Sequence, residues 1–211
     1  MSDLFSNNRP IIEEIYPDVF VLARFVETAP LFSEINRIHK QAPFRKMMTP
    51  NGHETNIPLT NCGEYGWTSD KSGYHYSKTD PLSNQVWPAM PEAFANLASK
   101  AAMNAGFDNF VPDACLINQY SIGKKLGSHQ DKNELDFTQP IVSISIGLSA
   151  VFQIFGETRS RVRTEYILQD GDIMVWGNSA RLVYHGIKTV KADPLNPEFK
   201  HRYNITLRKS H

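Results

Sequence analysis

The sequence predicts a mainly β fold with flanking helices, arranged as a double-sheet β-barrel or jelly roll. From residue 114 onward, short β-type runs follow one another, separated by turn residues such as Gly123, Asp170-Gly171 and Gly177-Asn178. Before that point two segments carry helical spacing. The 211 residues suit one globular domain, long enough to bury a core without disulfides.

Residues 18–25, DVFVLARF, read as a first strand. Residues 29–41 read as a helix, because Leu31, Ile35, Ile38 and Ala42 recur at helical spacing. A second helix is expected over 91–105: Pro91 fits the first turn, Phe94, Leu97, Ala98 and Ala101 form a stripe, and Gly106 fits the stop. The segment between them, 44–87, is rich in Asn, Thr, Gly, Pro and aromatics. Turn signals at Asn51-Gly52 and at 70–73 make it hairpins and loops instead of a packed sheet layer. Irregular segments this long usually serve as lids or binding surfaces. The β-rich half is expected as strands over 114–120, 141–148, 150–155, 163–168, 173–176, 181–184 and 202–208.

Composition excludes several classes. Lys plus Arg and Asp plus Glu are both 22, so nucleic acid cannot be held by bulk attraction and needs local basic clusters. Cys62 and Cys115 have no zinc-type spacing and form no disulfide framework; they fit reduced thiols of a cytoplasmic protein. The start, MSDLFSNNRP, lacks the pattern of a signal peptide, and apolar runs such as Val19 to Ala23 are too short to span a bilayer.

Three constellations carry chemistry. The first is His129-Gln130-Asp131 with a distant His185. In extended backbone, residues two apart share a face, so His129 and Asp131 can meet one metal, with His185 added from a neighbouring strand. Two imidazoles and one carboxylate leave open positions on iron. Alone, a His-x-Asp also fits a surface turn. The second is the run Arg202 to Arg208, which places Arg202, Asn204, Thr206 and Arg208 on one strand face and Tyr203, Ile205 and Leu207 on the other. Buried, two arginines on one face call for an anion such as a dicarboxylate. Alone, the run fits a solvent-facing edge strand more readily. The third is Asn118 and Tyr120, which share a face and can hydrogen-bond carboxylate oxygens.

Taken together, and with the stretches TNCGEYGW, WPAMP, PDACLINQY, SHQDK, PIVSISIGL, GDIMVWG, YHGI and RYNITLR, the chain resembles the AlkB family of iron(II)/2-oxoglutarate dioxygenases over nearly its whole length. The resemblance is strongest to the bacterial DNA-repair demethylases of that family. It implies one domain, 1–211: a double-stranded β-helix over about 114–208 with a nucleotide-recognition lid over about 44–87. It implies Fe(II) on His129, Asp131 and His185, with 2-oxoglutarate and O2 as cosubstrates. Arg202, helped by Tyr120, would take the distal carboxylate of 2-oxoglutarate, and Arg208, Asn118 and Asn204 the chelating end. Trp67 and His129 would sandwich a flipped base, while Tyr74, Tyr76, Lys125 and Arg159 would lie near phosphates. The implied reaction hydroxylates an N-methyl carbon, after which formaldehyde leaves and the base is restored. A base inside a duplex must be flipped out or already single-stranded, which favours lesions that pair badly, such as 1-methyladenine and 3-methylcytosine. An aromatic clamp suits these cationic bases.

Two departures stand out. Bacterial members carry aspartate where this chain has Asn133, which keeps an acceptor but loses the charge, so the preference for cationic lesions should weaken. They carry arginine where this chain has Gln119, which faces away from Asn118. The implied partner is alkylated single- or double-stranded DNA, with RNA left open, and the implied state is a monomer away from membranes. Competing readings are an RNA-directed demethylase, a silent binder of damaged bases and a cupin-like enzyme for a small molecule. The intact metal and arginine residues argue against the second. The paired arginines and aromatic lid argue against the third.

Overall fold

The computed structural model describes residues 9–211. Residues 1–8, which carry most of the stretch scanned for a leader, lie outside the described residues. Thirteen strands and two α-helices are found among the described residues. In chain order they are β1 (Ile12–Tyr16), β2 (Val19–Leu22), α1 (Thr28–Gln41), β3 (Leu59–Gly63), β4 (Gly66–Asp70), β5 (Gly73–Ser77) and α2 (Glu92–Asn104). Then follow β6 (Ala114–Ser121), β7 (Leu126–His129), β8 (Ile141–Gly147), β9 (Ala150–Gly156), β10 (Thr164–Leu168), β11 (Ile173–Trp176), β12 (Tyr184–Ile187) and β13 (His201–Arg208).

The strands form a seven-stranded sheet in the order β1-β2-β11-β8-β13-β6-β3, a four-stranded sheet in the order β10-β9-β12-β7, and the β4–β5 hairpin. This is a mainly β, jelly-roll architecture with two helices. Alternation along the large-sheet strands sorts side chains into two layers. Ile117, Val142, Ile144, Val175, Ile205 and Leu207 pack with Leu31, Ile35 and Ile38 of α1 and Phe94, Ala98 and Ala101 of α2. The alanines of α2 let that helix approach the sheet closely. The opposite face of the large sheet gives Tyr120, Met174 and Trp176, which pack with Phe152, Ile154, Leu168 and Ile187 of the small sheet. Helix α2 stops at Gly106, whose φ of +86° suits a residue without a Cβ; the Phe107 N–H then bonds back to the Ala102 carbonyl at 2.9 Å.

Three expectations need correction. Residues 44–87 are not all hairpin and loop, because β3 is the edge strand of the large sheet, pairing Cys62 with Cys115 of β6. Its buried polar residues hid it: the Thr60 hydroxyl donates to Ala42 O at 2.6 Å, and Asn61 is bonded to Trp67. No strand covers 181–183. The chain instead makes a 3-10 turn at Asn178–Ala180, and β12 starts only at Tyr184. Strands β1 and β7 were not expected, since IEEIY has no clean alternation and LGSH is short and contains glycine. No helix among the described residues is long and apolar enough to cross a membrane.

Candidate active site

The polar face of β13 opens into a cleft of about 510 Å³ between the two sheets. Asn118 and Tyr120 of β6 and Arg202, Asn204, Thr206 and Arg208 of β13 line it, since antiparallel pairing sets Asn118 opposite Asn204 and Tyr120 opposite Arg202. Strand β8 adds Ser143 from the other flank of β13. Its neighbour Ser145 accepts from Arg202 Nη2 at 2.9 Å, and Ser143 accepts from Asn204 Nδ2 at 2.7 Å. The Thr206 hydroxyl donates to Asn204 Oδ1 at 2.9 Å, which fixes that amide from its other end. Sequence reasoning missed both serines, although the alternation of VSISI puts them on one face.

Arg202 is 1% exposed, yet its Nε and Nη1 have no hydrogen-bond partner. Burial pushes its pKa down, with Tyr120 and Asp172 opposing. Burial also pushes the Tyr120 phenol up, so it stays a protonated donor. A guanidinium buried with two orphan donors is costly unless an anion meets it there. The site thus fits a carboxylate of 2-oxoglutarate.

Two of the metal-ligating groups, His129 and His185, stand on the small sheet, and Asp131 follows in the loop after β7. Pairing of β12 with β7 places His185 directly opposite His129, with ring centroids 4.4 Å apart. Ligand atoms of His129, Asp131 and His185 lie within 4.8 Å of one another. His129 Nδ1 donates to Gly127 O at 2.9 Å and His185 Nδ1 to Val183 O at 3.0 Å. These bonds fix both rings through Nδ1 and leave the Nε2 atoms as the ones available to a metal. Asp131 Oδ1 and Oδ2 lie 3.9 and 3.8 Å from the Nε2 atoms of His129 and His185. Burial pushes His185 down to about 4, with the His129 charge as the next cause. Burial works against the Asp131 charge, but Arg208, then His185 and His129, outweigh it and hold that carboxyl well below the usual range. Two imidazole Nε2 atoms and one carboxylate on one side fit Fe(II) with positions open to cosubstrates.

Arg208 Nη2 donates to Asp131 Oδ2 at 2.8 Å, while its Nε lies 3.4 Å from Glu134 without hydrogen-bond alignment. Burial lowers and Asp131 raises the Arg208 pKa, and the raising causes prevail. Glu134 also accepts from Arg181 Nη2 at 3.0 Å and from the Tyr76 hydroxyl. No local sequence signal marks Glu134 or Arg181.

Above the metal residues stands the β4–β5 hairpin. Trp67 stacks on Tyr74 with centroids 5.4 Å apart and 18° between planes. Asn61 on β3 holds the Trp67 backbone through two bonds of 3.0 Å: Nδ2 donates to Trp67 O, and Oδ1 accepts from Trp67 N. A Cβ at Gly66 would lie 2.3 Å from the Trp87 ring, so only glycine lets the strand pass there. Trp67, Tyr74, His129, Asn133 and Arg159 all line the cleft. Asn133 Nδ2 donates to Tyr74 O at 3.2 Å, and Arg159 lies 4.9 Å over the Tyr184 ring. Two of the residues expected near phosphates do not line the cleft. Tyr76 is turned to Glu134 and does not line the cleft, and Lys125 is exposed outside its wall.

A buried arginine face, a His–Asp–His cluster and a jelly-roll frame define an iron(II)/2-oxoglutarate oxygenase site. The family model described as the 2OG-Fe(II) oxygenase superfamily matches residues 18–208. Over its full length, and 98% of theirs, the chain is 47% identical to the alpha-ketoglutarate-dependent dioxygenase AlkB of Salmonella typhimurium and 46% identical to that of Escherichia coli. It belongs to the AlkB family and is an iron(II)/2-oxoglutarate-dependent dioxygenase. The solved structure of OsALKBH1 shares its fold, with a TM-score of 0.78 at 23% identity over 94% of this chain and 99% of that one.

Proposed function

We propose that this chain removes methyl groups from ring nitrogens of alkylated bases, with 1-methyladenine and 3-methylcytosine in DNA as its main targets. The observation that carries this reading is an aromatic side chain, Trp67, on the same cleft as the metal-ligating cluster. A planar base stacked on Trp67 would lie in the same cleft as the residues that would hold the metal. In this reading residues 1–211 act as one catalytic domain, with 44–87 as the lid. His129, Asp131 and His185 hold Fe(II) through two Nε2 atoms and a carboxylate. Arg202 and Tyr120 take the distal carboxylate of 2-oxoglutarate, while Arg208, Asn118 and Asn204 orient its chelating end. When bound, iron with 2-oxoglutarate and O2 supplies the oxidising chemistry, giving succinate, CO2 and an N-hydroxymethyl base that releases formaldehyde.

The remaining work is done by this chain's own side chains. Ser145 holds Arg202 through Nη2 and leaves Nε and Nη1 unbonded in the buried site, so a dicarboxylate is preferred over a monoacid. Trp67 on one side and His129 on the other sandwich the base, and Asn133 offers an amide oxygen to an exocyclic amine. Tyr74, Arg159 and Lys125 face the nucleic-acid backbone. Tyr76 acts from behind through Glu134. The zero net charge leaves affinity to these local contacts. The two free buried cysteines fit a cytoplasmic monomer. RNA stays open as a second substrate, because backbone contacts do not distinguish the 2′-hydroxyl.

Succinate formation tests the proposal. Iron, 2-oxoglutarate and O2 should give succinate faster when a 1-methyladenine oligonucleotide is added than when the unmodified one is. Equal rates with both would place the substrate elsewhere.

A further inference from the structure

Arg181 is 3% exposed, sits four residues before His185 and does not line the cleft, so it touches neither base nor cosubstrate. Every side-chain bond it makes goes to the segment that carries Asp131. Nη1 donates to Asp131 O at 2.8 Å, Nη2 to Glu134 Oε2 at 3.0 Å and Nε to Gln139 O at 3.0 Å. Its guanidinium also lies 5.2 Å over the Phe137 ring. A second stitch runs the same way, from Gln130 Nε2 to Leu182 O at 2.6 Å. The two chain segments that bring the metal-ligating groups together are thus joined through Arg181, because strand pairing, at His129–His185 and Leu126–Ile187, stops short of Asp131.

Glu134 passes the effect on. It takes Arg181 on one oxygen and lies beside Arg208 with the other, and Arg208 in turn holds the Asp131 carboxylate. Tyr76 of the hairpin donates to the same carboxylate. Without Arg181, Glu134 would keep Arg208 as its sole guanidinium partner, and Arg208 would be drawn away from Asp131.

We propose that Arg181 is a positioning residue that locks the Asp131 segment onto the His185 segment, setting the spacing of the metal ligands and, through Glu134, the aim of Arg208 at 2-oxoglutarate. This deepens the reading above and rests on it. Only a planar fork can serve three acceptors at once; lysine supplies the charge without the geometry. Partners one step behind metal ligands are worth roughly 10- to 100-fold in metal affinity.

The test is a titration of metal-free protein with Mn(II), followed by electron paramagnetic resonance, together with KM for 2-oxoglutarate and kcat in the iron-loaded enzyme. Arg181→Lys keeps a cation against Glu134 and protects the fold; Arg181→Met removes it. Both should weaken Mn(II) binding by at least about tenfold. Both should also raise KM for 2-oxoglutarate, with Lys no better than a partial rescue. Wild-type Mn(II) affinity in Arg181→Lys, with only a lower melting temperature, would make Arg181 merely structural and overturn the proposal. If the unaltered protein itself bound no Mn(II), the metal-site reading would fail instead.

Discussion

Asn61→Ala removes both hydrogen bonds that hold the Trp67 backbone to β3. Each is a neutral amide bond of 3.0 Å in a buried setting, worth about 1 kcal/mol net, so about 2 kcal/mol in all. The Trp67 N–H and C=O are left facing a small apolar side chain, with no replacement partner supplied by the substitution. Neither bond touches Asp131, Arg202 or the histidines. The loss should therefore fall on the hairpin, raising KM for a methylated oligonucleotide by up to roughly 30-fold at 1.4 kcal/mol per decade. Mn(II) affinity and KM for 2-oxoglutarate should stay unchanged. Fluorescence anisotropy of a labelled 1-methyladenine strand and succinate kinetics measure the two halves separately. Asn61→Asp, which keeps the acceptor for Trp67 N and loses the donor, should fall between. A lower melting temperature with unchanged affinity for the oligonucleotide would refute the reasoning, because Asn61 would then brace the sheet and not the tryptophan.

Arg202→Met should raise KM for 2-oxoglutarate by at least roughly 30-fold, since loss of one partner of a buried charge pair costs about 2 kcal/mol or more; succinate titration reads it, and an unchanged KM contradicts the role. Asn133→Asp should raise the preference for cationic 1-methyladenine over a neutral etheno adduct, and equal ratios before and after would remove charge at this position as the cause. In metal-free protein His185 sits near 4 against about 6.5 when unfolded, so across that window the unfolded chain binds the extra proton. Stability should therefore fall as pH drops from 6.5 towards 4, while Asp131, held low by Arg208, stays charged. Melting temperatures should show this slope, and His185→Gln should flatten it; a flat wild-type profile would count against a buried neutral His185.

Where periodicity and burial agree, the sequence was enough. The stripe of Leu31, Ile35 and Ile38, the alternation of β13 and the close spacing of His129 and Asp131 all follow from helical or strand period, which sorts side chains by face. The rest depends on contacts between residues far apart in sequence. Thr60 and Asn61 look like loop residues until Ala42 and Trp67 satisfy them across the fold. RLVY has the composition of a strand, but Arg181 is drawn inward by three acceptors on the 131–139 segment and bends the chain before β12. Tyr76 looked like an exposed contact because nothing local announces that Glu134, 58 positions away, takes its hydroxyl.

In the proposed function, one cleft both holds the metal and acts on an alkylated base. The most direct measurement is mass spectrometry of a single-stranded oligonucleotide carrying one 1-methyladenine or 3-methylcytosine. The oligonucleotide is incubated with iron-loaded protein, 2-oxoglutarate, ascorbate and O2, with His129→Ala alongside. Loss of one methyl group is expected with the intact protein and none with the variant. Succinate formed without any change in the oligonucleotide mass would contradict it.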